Sequence, residues 1–433
     1  MTEAPHADYL TGLLKSWSEK PARPLSWFND LRAHAIDRVS KQAFPTKRDE
    51  EWRFTDISRL NYLPYLPARP EIHLQLHDIN HLFLSEAKNR LVFVDGYFHQ
   101  QLSTLNNSDG LIIGNLPDLL ASHSLMLESH LGQHAAFDHN IFTALNTAFL
   151  RDGALLIIPK NTTIADPIHL LFIATQSEVT SYPRCLVIGE TGSSVALVEE
   201  YVALEHSPYI TNSVTEIALA ANAHVNHIRI QRESAQAYHL ANCSVVLAHA
   251  SRYRSISLSL GSQISRYNLD IRLAEEAAEC TVDGLTLISN RQLADTHTCI
   301  DHVKPNGTSH QQHKCIVDGA AHAVFNGKII VRPHAQRTNS SQSSRNLLLS
   351  KTAQIDTKPQ LEIFADDVKC AHGATVGQLD PEEIFYLKSR GLSEVIARNL
   401  LTYAFGAEII SRISIPSLRQ QLEQTVLNQT QSN

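Results

Sequence analysis

The residues best suited to chemistry stand near the end of the chain, in Asp366-Asp367-Val368-Lys369-Cys370-Ala371-His372-Gly373-Ala374-Thr375. In an extended strand alternate side chains share a face, so Cys370 and His372 project together. A soft thiolate beside an imidazole suits iron, or sulfur carried for a short time. The plainer alternative is a buried thiol and a hydrogen-bonded imidazole. Two further groups, His297/Cys299/His302 and His310/His313/Cys315, offer the same donor types in a chain with 23 histidines and six cysteines. Strand alternation pairs His297 with Cys299 and His313 with Cys315, which suits zinc, copper or iron. Neither group meets a regular ligand spacing, so whether they bind metal stays open, and a His/Cys metal-binding protein remains an alternative.

Acidic pairs occur at Glu199-Glu200, Glu275-Glu276 and Asp366-Asp367. A β-helix with two carboxylates is one design for a polysaccharide-active enzyme, normally a secreted one. Adjacent strand residues face opposite ways, however, so neither carboxylate of such a pair can share a substrate with the other. No phosphate-binding loop of the G-x-x-x-x-G-K-[ST] form is present; the nearest text, Gly189-Glu190-Thr191-Gly192-Ser193-Ser194, lacks the lysine. Neither a G-x-S-x-G elbow nor an H-E-x-x-H motif occurs. The chain is therefore not expected to hydrolyse ATP by itself.

The rest of the composition narrows the class. With 433 residues, 43% apolar and 19% charged, the chain has the make-up of an ordinary globular protein of two or three domains. The net charge of −7 and the lack of a Lys/Arg-rich block argue against nucleic acid. The opening Met1-Thr2-Glu3-Ala4-Pro5-His6 lacks a basic patch followed by an apolar run, so no secretory signal is expected. Apolar runs such as Ala154–Ile158 are too short to span a membrane. Cysteines at 185, 243, 280, 299, 315 and 370 form no C-x-x-C pair, which points to free thiols in a reducing, cytoplasmic setting.

The elements that must position Cys370 and His372 change in texture along the chain. Tyr9, Leu10, Leu13, Leu14 and Trp17 follow helical spacing, and Pro21 and Pro24 end that helix. A second helix is expected from about Trp27 to Phe44, stopped by Pro45. The segment Lys47–Thr55 reads as a charged surface piece anchored by Trp52 and Phe54. Residues 1–150 thus form a mixed helical region. From about 151 to 377 short alternating strands recur, several running into small-residue corners: Leu219–Ala223, Leu247–Ala250 and Leu273–Ala277, with a less regular one at Asp318–Ala321. The pattern fits a β-solenoid, and it also fits a sandwich or an up-and-down barrel. From 378 to 433 the chain turns helical. Asp380 caps, Pro381 opens and Gly391 closes one helix; Ser393 caps the next, which carries Val395, Ile396, Leu400, Ala404 and Ile409; Pro416 opens a third.

Cys370-Ala371-His372-Gly373-Ala374-Thr375, followed by Phe385-Tyr386-Leu387-x-Ser389-Arg390-Gly391, resembles the C-terminal signature of the SufB/SufD family of iron–sulfur cluster assembly proteins. Asn346–Ser350, Lys358–Ile363, Phe325–Ile329, Glu51–Thr55 and Phe142–Thr147 extend the likeness over most of the chain, most densely from about 315 to 410. The Gly373-Ala374-Thr375 text, and the lack of cysteine between Asn346 and Lys358, resemble the SufD branch rather than SufB. The resemblance implies a right-handed parallel β-helix between an N-terminal helical region and a C-terminal helical domain. It implies a scaffold subunit that pairs with SufB through the β-helix, or forms a homodimer alone, and docks the ATPase SufC through the C-terminal helices. Pro381, Phe385, Tyr386, Leu387, Arg390, Gly391, Leu400 and Tyr403 are the docking candidates. It implies no tightly bound cofactor, a transient cluster at the SufB interface, and ATP supplied through SufC. His372, with Cys370 beside it, matches the position implicated in cluster formation and is the one transient metal ligand expected.

Overall fold

The computed structural model describes residues 9–18, 25–70, 74–106 and 109–431. Met1–His6, Pro21 and Pro24 lie outside the described residues.

The centre of the chain is a parallel β-helix with two walls. The first wall stacks Arg184–Gly189, Ile210–Leu219, Tyr238–Leu247, Ile264–Leu273, Leu293–His302, His322–Val331 and Gln354–Ile363. The second stacks Ser194–Ala203, His224–Arg232, Arg252–Ser259, Glu279–Ile288, Thr308–Val317, Asn339–Leu348 and Lys369–Gly377. Each coil crosses once to each wall, so neighbours in a wall are parallel and in register: Leu219 stacks on Leu247, then Leu273. Inward side chains alternate with outward ones, and Leu219, Leu247, Leu273, Val331 and their neighbours fill one continuous core. Of the folds compatible with the sequence pattern, the solenoid is the one formed.

The small-residue corners are the turns between the walls. Asn161, Gly192, Asn222, Ala250, Ala277, Asn306 and Arg337 all have positive φ, and the backbone N–H of each one from Asn161 to Arg337 donates to a carbonyl of the next coil's corner. Asn and Gly adopt this backbone readily, while Ala250, Ala277 and Arg337 sit there under strain that the surrounding coils must override. The Asp318–Ala321 corner breaks the spacing because it lies at the opposite side of the coil. It follows a strand of the second wall, whereas the other three follow strands of the first.

The N-terminal region closes one end of the solenoid. Its strands Asn89–Val94 and Ile112–Asn115 join the two walls, and Tyr97–Phe98 and Ile112–Asn115 add antiparallel edges. Helix Ile141–Ala148, capped by Asn140, is buried along its length. The second helix ends at Ser40 rather than Phe44. Phe44 is instead drawn into the core, with its ring 5.8 Å from Tyr9 and 5.4 Å from Phe142. The charged segment that follows forms a strap across the first wall. Arg266 stacks 4.2 Å from the Trp52 ring, Thr55 donates to Asp295, and Lys358 reaches Glu50.

At the C-terminus, Pro381–Ser389 and Glu394–Ile410 form a hairpin, and Pro416–Gln431 returns along the solenoid. Asp380 and Ser393 cap the hairpin helices as expected, and Gly391 takes φ +94 between them. Ile409, Ile410, Ile413, Leu418 and Leu422 pack on the outer face of the second wall against Ile228, Ile256, Leu285 and Ile316. No described helix is long and apolar enough to cross a membrane.

The solenoid interior also holds ionised groups. Glu199 accepts from Tyr201, Thr215 and His227, all buried. Burial alone pushes the Glu199 carboxyl up in pKa, but His227, Arg229 and Tyr201 outweigh it and hold the group at about 2. Because the folded value lies below the unfolded one, this stabilisation is present at neutral pH and is lost as pH falls from about 4.5 to 2. It amounts to on the order of 3 kcal/mol. Chemical denaturation across that range is expected to show the loss in the parent chain. Glu199→Gln should be less stable at pH 7 by about 3 kcal/mol or more, with a shallower acid limb. Equal stability of the two chains at pH 7 refutes this account.

Candidate functional site

The far end of the solenoid is left open. Gln354–Ile363 pairs only with His322–Val331, and Lys369–Gly377 only with Asn339–Leu348, among the described residues. One side of each last strand therefore keeps unpaired backbone N–H and C=O groups. The inner face of this coil is exposed in proportion: Val376 is 48% exposed and Ile363 is 40% exposed, and the adjoining Phe364 is 59% exposed. Such edges are normally blunted or covered, because they template pairing with another strand.

Cys370 and His372 lie on this open coil and share its inner face, as strand alternation requires. Cys370 is in register with Ser340, and His372 with Gln342. Cys370 is half-buried against the core, while His372 is exposed. Burial pushes the Cys370 thiol up, partly offset by a hydrogen bond from the Ser340 backbone N–H. Cys370 thus rests as a thiol and His372 stands at the rim above it. Beneath them the interior turns polar: Ser340 and Ser309 hydroxyls meet at 2.6 Å, and Ser309 meets His302 Nε2 at 2.9 Å.

The other donor groups do not assemble. In the first, His297 and Cys299 face outward from the first wall and His302 faces the core. In the second, His310 faces outward while His313 and Cys315 are buried inside. Among the described residues no cluster of three or more His, Cys, Asp or Glu has metal-binding geometry. His297 is instead an anchor for the strap, 3.1 Å from Glu51 and 2.9 Å from Asp295. Glu199 and Glu200 point to opposite faces, both buried: Glu199 into the coil, Glu200 toward His169 and Arg232. Glu275, Glu276, Asp366 and Asp367 are exposed at corners. None of these pairs offers two carboxylates facing one cleft.

The hairpin carries a second exposed feature. Helix Pro381–Ser389 buries no residue. Phe385 is 73% exposed, Tyr386 57%, Val395 64%, Ile396 53% and Leu400 46%, all on this one hairpin. Contiguous exposed apolar side chains of this kind mark an interaction surface. Arg390 braces the patch, with its guanidinium 5.3 Å from the Tyr386 ring. Pro381 and Gly391 shape the helix ends, Leu387 is half-exposed, and Tyr403 is half-buried toward the solenoid. The sequence did not reveal what holds the hairpin down. Lys314, nearly buried, bonds to Glu408 at 2.5 Å and to the Phe405 carbonyl at 2.9 Å, and Arg412 reaches Asp283 at 2.5 Å. These partners are 91 to 129 residues apart, and no local pattern marks them.

Comparison with known proteins fits this geometry. Residues 172–405 match the family described as SUF system FeS cluster assembly, SufBD core domain, and residues 18–170 match the SufBD protein N-terminal region. The chain belongs to the SufB/SufD family. It is 42% identical over 407 residues to an iron–sulfur cluster assembly SufBD family protein of Synechocystis sp., covering 91% of this chain and 89% of that one. It is 32% identical over 392 residues to the iron–sulfur cluster assembly protein SufD of Escherichia coli, covering 89% of each. The SufD of Bacillus subtilis is 26% identical over 427 residues, covering 94% of this chain and 95% of that one. In this chain the open coil and the apolar hairpin are two surfaces with the character of interaction sites.

The cysteines give a direct check on the open end. In the folded chain a maleimide is expected to modify Cys370 first and Cys299 slowly. The buried Cys185, Cys243, Cys280 and Cys315 should react only after denaturation. Burial, with Asp270 adding to it, pushes Cys299 up to about 12. Its rate should therefore rise about tenfold per pH unit through the neutral range. Rapid native-state modification of Cys280 or Cys315, read by peptide mapping, rules out the closed packing of the coils beneath the mouth.

Proposed function

We propose that this chain is a non-catalytic, cytoplasmic scaffold subunit of the SUF iron–sulfur assembly machinery, of the SufD kind. Its open coil end pairs with SufB, its hairpin docks the ATPase SufC, and His372 with Cys370 presents ligands to the cluster under construction at the SufB junction. The observation that carries the reading is the uncapped terminal coil with Cys370 and His372 together on its inner face.

The chemistry follows from that placement. Iron and sulfide are the cargo, and a cluster that must later leave is better held by few ligands at a subunit junction than by four thiolates in one closed site. The imidazole offers a lone pair in its neutral form. The Cys370 thiol must lose its proton to bind iron, and its partly buried setting disfavours that until a cation arrives. A partner strand added to either free edge covers the mouth, excludes water and places the partner's own donors opposite His372. ATP enters only through SufC. Closure of two SufC copies pulls on the hairpins they hold and thereby on the β-helix junction.

Separate substitutions test the two surfaces in the full chain, co-expressed with SufB and SufC of the same organism. Phe385→Asp with Leu400→Asp is expected to lose SufC while still capturing SufB. Val376→Arg on the open coil is expected to lose SufB while still capturing SufC. His372→Ala should leave all three subunits together yet reduce cluster assembly at least tenfold. If the parent chain captures neither partner, the scaffold reading falls. If His372→Ala assembles clusters at the parent rate, the ligand role of His372 falls.

A further inference from the structure

Directly beneath His372 lies Gln342, its register partner on Asn339–Leu348. Gln342 is 3% exposed, and its amide is fixed rather than free to turn. Its Nε2 donates to Gln311 Oε1 at 2.8 Å, and Gln311 Nε2 in turn donates to Thr298 Oγ1 at 2.8 Å. The amide also fills the space left by Gly327, where an added Cβ would lie 1.7 Å from Nε2. The row therefore has a direction. Gln342 Nε2 donates to the coil beneath and Gln311 Nε2 across to the opposite wall, and the last carbonyl oxygen, Gln342 Oε1, ends the row without a partner. Turning the Gln342 amide over would set its oxygen against the Gln311 oxygen, so the assignment is set by the network.

A buried, unpaired carbonyl oxygen is costly unless something donates to it. The neighbour one strand above is an imidazole, which in its neutral form carries one N–H and one lone pair. An imidazole that binds metal through one nitrogen ordinarily donates the N–H of the other to a fixed acceptor, which sets both tautomer and ring orientation. We propose that Gln342 is the positioning residue for His372. Its Oε1 takes the N–H of one imidazole nitrogen, so the other nitrogen faces the open end as a ready iron ligand. Thr298, Gln311 and Gly327 hold that acceptor in place. The inference rests on the reading of His372 as a ligand and adds the group that orients it.

The test uses the full chain alone, without iron or partners, labelled with 15N-histidine. The His372 resonances are assigned by their loss in His372→Gln. The ring nitrogen shifts report the tautomer directly. In the parent chain His372 is expected in one dominant tautomer. In Gln342→Leu, which keeps the bulk and removes the acceptor, the two tautomers should mix. In Gln311→Leu, which removes the acceptor that fixes the Gln342 amide, they should mix as well. Thermal melting confirms that each variant is folded, and Gln311→Leu serves should Gln342→Leu fail to fold. An unchanged His372 tautomer in folded Gln342→Leu, or in folded Gln311→Leu, overturns the proposal. Cluster assembly in the complex with Gln342→Leu is expected to fall about tenfold or more. If the tautomer shifts as expected but assembly is untouched, Gln342 does orient His372, and it is the ligand role of His372 that fails.

Discussion

Every coil of a parallel solenoid satisfies the backbone of the coil before it and leaves its own to the coil that follows. The rest of this structure depends on that constraint, because the stack has to end somewhere. At the N-terminal end the chain solves the problem within itself: antiparallel edges at Tyr97–Phe98 and Ile112–Asn115 and a buried helix at Ile141–Ala148 close it. At the other end it does not. The last strands keep their free groups, and of their inner side chains Ile363, His372 and Val376 lie exposed. So long a bare edge is a ready template for a β-partner, and Cys370 and His372 lie on the coil that such a partner would cover.

The same geometry explains why the core is not uniformly apolar. An inward position is repeated at each coil, so a polar residue there finds its neighbour one strand spacing away and can be satisfied in a row along the axis. Glu199 with His227, Ser309 with Ser340, and Gln311 with Gln342 are such rows. A row satisfies all its members except the last. Deep in the solenoid its ends find partners on the opposite wall, as Gln311 does with Thr298. Near the open end the last member has only the terminal coil above it. That is why Gln342 ends with a spare acceptor beneath His372.

What the sequence makes legible is what local rules control. Asp380 with Pro381, Gly391 and Ser393 specify the hairpin because capping and turn chemistry act within a few residues. The corners at Leu219, Leu247 and Leu273 are legible because each belongs to the same wall. The corner at Asp318 is misleading only because a linear spacing does not say which wall a strand belongs to. The end of the second helix is missed because Phe44 has a better place between Tyr9 and Phe142 than in another turn of helix. Cys370 and His372 are found by alternation, and the same alternation rightly separates Glu199 from Glu200. The Gln342 row and the Lys314–Glu408 and Arg412–Asp283 pairs leave no trace in sequence, since their members meet only after whole coils have stacked.

Alternation has one last consequence, which ties the two partner surfaces together. The strand Thr308–Val317 is a shared wall. Its outward residues Gln312 and Lys314 hold the hairpin, through Glu408 and the Phe405 carbonyl. Its inward residue Gln311 holds the Gln342 amide below His372. Close-packed interiors transmit displacement rather than absorb it. The exposed hairpin is thus joined, through ion pairs with one buried member each and a single strand, to the row of amides that ends under the open mouth. Were the hairpin tied to the solenoid by apolar packing alone, it could slide. With Lys314 and Arg412 tying it, its displacement either strips the buried Lys314 and Asp283 charges of their partners or carries their two strands with it.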